Sequence, residues 1–121
     1  MRRLSIVVVV GLVALAVAGP AGAAASYCSP TGDYCTSTQR LDGAVFLRLS
    51  TFSFSGPVRI CVTDPNARRV CRTFRLLKRG AMWRVAVRWH RNYPNTGPGR
   101  YRVAFFLGRT RLGPVLDFRI R

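Results

Sequence analysis

Two short apolar runs around a four-residue turn constrain this chain more than any other stretch. Val58 to Thr63 and Arg69 to Leu77 flank Asp64-Pro65-Asn66-Ala67, which is turn chemistry. With Asn66 as the centre, Cys61 falls opposite Cys71. Facing residues of antiparallel strands have Cβ atoms about 4.5–5.5 Å apart, near disulfide reach. The same register puts Val58, Ile60, Val62, Val70, Phe74 and Leu76 on one face and Arg59, Thr63, Arg69, Thr73 and Arg75 on the other. The segment reads as a hairpin with an apolar face, a basic face and a disulfide staple. Arg72 interrupts the apolar face opposite Ile60, which predicts a position near a sheet edge.

The chain start reads as an export signal, residues 1–25. Arg2 and Arg3 precede an apolar run from Ile6 to Ala18, Gly19-Pro20 ends any helix, and Ala23-Ala24-Ala25 supplies small residues for cleavage before Ser26. A membrane anchor is the competing reading, but the run is shorter than the roughly 20 residues a span requires. The arginine pair lacks the rest of a twin-arginine signal, and Tyr27 is too bulky for a lipobox before Cys28. The mature chain is then a single domain, residues 26–121. An even number of cysteines in an exported protein implies disulfides, and four allow three pairings. The hairpin register favours Cys61–Cys71, which leaves Cys28–Cys35. Each loop contributes about 2.5–3 kcal/mol in the chain-entropy picture. Spacings of C-x6-C and C-x9-C with a single histidine do not suit a zinc site.

Charge sets the function class. Without Arg2 and Arg3, eighteen basic residues face four aspartates, a net of +14; Lys78 is the one lysine and glutamate is absent. Such a field favours anionic partners: nucleic acid, phosphate-rich wall polymers, acidic polysaccharide or anionic lipid. An arginine-for-lysine bias with abundant Ala, Gly and Val is also what a GC-rich genome writes by default. The inventory for catalysis is thin. A carboxylate pair must come from Asp33, Asp42, Asp64 and Asp117, and His90 is the sole imidazole. No phosphate-binding glycine loop or nucleophile elbow is present. No cofactor is implied, and the protein is expected not to be an enzyme.

Further strands follow from alternation. Gly43 to Phe54 carries Val45, Leu47 and Leu49 in one phase and Phe52 and Phe54 in the other, which predicts a bulge near Ser50-Thr51. Met82 to His90 alternates Trp83, Val85, Val87 and Trp89 against Arg84, Ala86, Arg88 and His90. Arg100 to Leu107 and Val115 to Arg121 complete the set, and Lys78-Arg79-Gly80 and Gly108 to Gly113 read as turns. Ser26 to Gln39 reads as a stapled loop, with Tyr27 and Tyr34 packing on the domain. About six to seven strands with Gly/Pro turns imply an all-β antiparallel sandwich.

Pro98-Gly99-Arg100-Tyr101, at the start of a late strand, resembles the Pro-Gly-x-Tyr start found in immunoglobulin-like and fibronectin-type domains. The whole organisation resembles small secreted cysteine-containing immunoglobulin-like proteins of GC-rich Gram-positive bacteria. The resemblance implies an immunoglobulin-like β-sandwich and transfers no functional residue. The cysteines differ from antibody-type domains, which bridge the two sheets.

The expectation is a secreted, monomeric, non-catalytic binding module, free or associated with the cell envelope. Its partner is an anionic extracellular or cell-wall polymer held by outward arginines: Arg59 and Arg75 on the hairpin, Arg84 and Arg88 on the tryptophan strand, and Arg102 and Arg119 on the last strands. Guanidinium forks suit phosphate and carboxylate. Tyr93 is the best candidate for an exposed aromatic beside these arginines. The alternative is a protein-interaction or inhibitor domain using loop 91–100 or an exposed strand edge. A membrane-active cationic protein is the third reading; no basic amphipathic helix follows the leader.

Overall fold

The computed structural model describes residues 25–121. The leader predicted over 1–25 lies outside the described residues except for Ala25. The described chain is all-β, with two antiparallel sheets facing each other. One sheet holds β1 (Ser26–Cys28), β2 (Tyr34–Leu41), β3 (Ala44–Thr51), β7 (Met82–Arg88) and β6 (Leu77–Arg79), side by side in that order. The other holds β10 (Leu116–Ile120), β8 (Gly99–Leu107), β4 (Pro57–Thr63) and β5 (Arg69–Arg75), with β9 (Thr110–Arg111) attached to β8. A single helical turn, α1 (Trp89–Asn92), links β7 to the loop before β8.

The β4–β5 ladder has the predicted register: Val58 faces Phe74, Cys61 faces Cys71 and Thr63 faces Arg69. Both disulfides have the predicted partners, Cys28–Cys35 and Cys61–Cys71, and each joins directly facing residues. β5 is an edge strand and Arg72 is exposed, as its break in the apolar pattern implied.

The core forms where the inward phases meet. Leu47 and Leu49 of β3, Val58 and Ile60 of β4, and Tyr101, Val103 and Phe105 of β8 are almost wholly buried. Trp89, Tyr101 and Phe118 close one end, with ring centroids 4.9–5.1 Å apart. Edge and stacked contacts of this kind add about 0.5–1.5 kcal/mol per pair beyond burial. The Tyr101 hydroxyl donates to the Gly97 carbonyl at 2.7 Å and accepts from the Thr96 N–H at 3.1 Å. It thereby pins the connection that leads into its own strand.

Four expectations need correction. Residues 26–39 are not a loop: they form most of the β1–β2 hairpin. Its inward phase is threonine, so apolar alternation does not reveal it. Thr36 and Thr38 are buried, and the Thr38 hydroxyl donates to the Asp117 carbonyl across the sandwich at 2.9 Å. The described residues hold ten strands rather than six to seven, because β1, β6 and β9 are only two or three residues long. β3 carries no bulge: Val45, Leu47, Leu49 and Thr51 keep one phase and the strand stops at Thr51. The Thr51 hydroxyl accepts the Ser53 N–H and turns the chain, leaving Phe52 exposed. Finally, β7 ends at Arg88, and Trp89 and His90 belong to α1. Winding one turn there lets the Trp89 indole reach Tyr101 and Phe118.

Replacing Tyr101 by Phe keeps the ring and deletes these polar bonds. Denaturant unfolding should show a loss of about 1–3 kcal/mol, because Thr96 and Gly97 lose their partner. An unchanged midpoint would mean the hydroxyl does not secure the connection.

Candidate anion-binding face

The outward phase of the second sheet is built by the same alternation that buries its core. β4 sends out Arg59, Cys61 and Thr63, β5 sends out Arg69, Cys71 and Thr73, and β8 sends out Arg102, Ala104 and Phe106. The register aligns Arg59 with Phe106 and Arg111, and Thr63 with Arg69 and Arg102. Two basic rows therefore lie about 13 Å apart along the strands, four residues at about 3.3 Å each. Between them sits the Cys61–Cys71 bridge.

Phe106 is the centre of this face. The Arg59 guanidinium lies 5.0 Å and that of Arg69 5.6 Å from its ring centroid. Guanidinium over an aromatic ring is worth about 0.5–1 kcal/mol at an exposed site and restricts an otherwise mobile side chain. Arg111 is held by its Nε–H, which donates to the Gly113 carbonyl at 3.0 Å. The surface between these groups is a concavity of about 790 Å³. Arg69, Arg102, Arg111 and Phe106 line it, with Tyr27, Tyr34 and Val115 along one wall. Tyr27 packs against Gly113, where a Cβ would come within 2.5 Å of its ring. Burial, then the neighbouring Tyr27 phenol, push the Tyr34 hydroxyl above its ordinary pKa.

No carboxylate lines the concavity among the described residues. Asp117 faces Arg102 in the ladder, but its carboxylate binds Arg100, whose Nε–H donates to Oδ2 at 2.7 Å. Asp64 orders the hairpin turn beside the face: its Oδ1 accepts the N–H groups of Asn66 and Arg68 at 2.9 and 2.8 Å. Burial pulls its pKa upward, but the Arg68 N–H, the Thr96 hydroxyl, the Asn66 N–H and the Arg68 charge together bring it below the ordinary carboxylate value. Arg69 is thus carried on a turn that Asp64 fixes.

The predicted arginines divide between two faces. Arg102 lines the concavity, and Arg59 shares its outward phase and lies over Phe106 at its border. Arg75 shares its outward phase but faces Pro57 at the far end of the ladder. Arg84 and Arg88 stand on the outer face of the other sheet, with Arg48. Arg119 lies outward on β10, exposed, next to Arg100 in the ladder. Arg69, Arg111 and Phe106 were not singled out. Phe106 was legible as the outward member of the Phe105-Phe106 pair, and Arg69 was already on the hairpin's basic face. Arg111 had no signal, since a two-residue strand carries no period.

Loop 91–100 does not present an aromatic. Tyr93 is only 3% exposed and its hydroxyl donates to the Ile60 carbonyl at 2.7 Å. Burial pushes that hydroxyl well above its ordinary pKa. His90 is exposed on α1. No helix among the described residues is long and apolar enough to cross a membrane. A scan against protein-family models, a search of curated proteins and a search of solved structures each found no match.

The Asp64 turn predicts a pH signature. A lowered folded pKa stabilises the protein above the unfolded value, and this is lost as the pH falls through the folded one. Asp64→Asn should be less stable than the wild type at pH 7. The difference should close as the pH falls below the ordinary carboxylate range. A difference that stays constant from pH 7 to pH 2 would exclude an ionised Asp64 as its source.

Proposed function

We propose that this protein is a secreted, non-catalytic, immunoglobulin-like module that binds anionic polymers through the arginine face of its second sheet. The observation that carries this reading is that Arg59 and Arg69 lie over Phe106 while Arg69, Arg102 and Arg111 line one concavity, with no carboxylate in its lining. Pre-positioned guanidinium forks give bidentate contacts to phosphate, sulfate or carboxylate at a reduced ordering cost. The field of a strongly basic chain adds long-range attraction, steep in salt.

The immunoglobulin-like assignment draws on topology. The orders β2-β3-β7-β6 and β10-β8-β4-β5 correspond to strands A-B-E-D and G-F-C-C′ of that sandwich. Tyr101 makes the hydroxyl-to-backbone bond of a tyrosine corner at the start of the strand equivalent to F. The departure lies in the cystines, which staple hairpins within each sheet. Two cystines and a signal-like leader support an oxidising, extracytoplasmic site of action.

The oxidised protein should bind inorganic polyphosphate with an affinity that falls linearly with salt on logarithmic axes. Replacing Arg69 and Arg102 by Gln should weaken binding by about tenfold or more at low salt. It should also flatten the slope by roughly 1.4, two contacts at about 0.7 each. An affinity and slope equal to the wild type's would remove this face as the binding surface.

A further inference from the structure

The outer face of the first sheet carries a second arginine set, pointing away from the first. Phe46 faces Arg88, Arg48 faces Ala86 and Ser50 faces Arg84 in the β3–β7 ladder, so all three arginines leave the same side, with Arg48 about 7 Å along the strands from each of Arg84 and Arg88. This set is also braced. The Arg88 guanidinium lies 5.8 Å from the Phe46 ring centroid, and Arg48 donates through Nη1 to the Gln39 side-chain oxygen. The Arg88 Nε–H is buried without a protein acceptor. The four aspartates stay off this face. Asp33, Asp42 and Asp64 lie in the connections of their hairpins, and Asp117 belongs to the other sheet and to Arg100.

We propose that the protein is bivalent: each sheet holds its own anionic chain, and the sandwich bridges two polyanion molecules. This rests on the polyanion reading above and extends it to the opposite face. The geometry suits bridging. Packed sheets stand about 10 Å apart, and an arginine reaches several Å beyond its sheet on each side. Two bound chains then lie roughly 20 Å apart, against a Debye length of about 8 Å at physiological salt. Their mutual repulsion is screened, while each remains in contact with its own guanidinium set. One short chain cannot contact both faces without passing around a sheet edge. The second face on one module is therefore free to take a separate chain from solution while the first stays occupied.

A two-step capture experiment tests this. Short-chain polyphosphate is fixed to beads, loaded with the oxidised protein, washed, and offered fluorescent polyphosphate. The wild type should load and then retain the fluorescent chain while sedimenting as a monomer in the absence of polyphosphate. Arg84→Gln with Arg88→Gln, and separately Arg69→Gln with Arg102→Gln, should each still load. Each should lose second-chain capture by about fivefold or more. Arg91→Gln with Arg109→Gln removes equal charge from exposed positions outside both ladders and should capture like the wild type. Equal loss in all three variants would overturn bivalency in favour of unlocalised charge. Loading without second-chain capture by the wild type would overturn bivalency while leaving binding intact. Capture confined to a dimeric fraction would assign bridging to dimerisation instead. No loading at all would remove the polyanion reading itself, a distinct result.

Discussion

Cys61 and Cys71 face each other across β4 and β5, and that pairing fixes the phase of both strands. Side chains alternate with a period of two, so a slip of one residue would send Ile60 to solvent and Arg59 to the core. The bridge and the buried Val58, Ile60 and Val62 favour the same register. β8 then docks against β4 with Ile60 beside Phe105 and Arg59 beside Phe106. One choice of phase thus sets the packing on the inside and the arginine cluster on the outside. β5 has only β4 as its neighbour, so Arg69 depends on this ladder and its bridge for its position.

A strongly basic chain must place many like charges without disrupting its fold. Here arginines occupy the outward phases of both sheets, where water and salt screen them. Aromatic rings at Phe46 and Phe106 take the faces of three guanidiniums. Of the four aspartates, Asp64 orders a turn and Asp117 binds Arg100, so neither neutralises the concave face. The positive potential there is left available to a ligand. The rings of Tyr27 and Tyr34 border it.

Where the residues alternate cleanly, the sequence was a sufficient guide. The β4–β5 hairpin, its disulfide, β8 and β10 could all be read from apolar phase alone. The reading failed where the buried residue is not apolar, as at Thr36 and Thr38, whose hydroxyls hide a strand behind polar letters. It failed again where a long-range aromatic contact outweighs local alternation, as at Trp89, and where a hydroxyl finds a distant carbonyl, as at Tyr93. The candidate face was half legible for a related reason. Outward phase identifies arginines strand by strand, but only the order of strands in each sheet decides which of them become neighbours. That order put Arg102 beside Arg69 across β4 and separated both from Arg84 and Arg88.

The central claim is that binding is localised by geometry rather than spread over every arginine. Titrating the isotope-labelled oxidised protein with short-chain polyphosphate, and following the backbone amide and arginine Nε–H resonances, addresses it most directly. The earliest shifts should cluster on Arg59, Arg69, Arg102 and Arg111 and the amides around Phe106, with exposed Arg91, Arg109 and Arg121 moving last. Shifts of equal size and midpoint at all arginines would contradict it and reduce the charge to a general property of the chain.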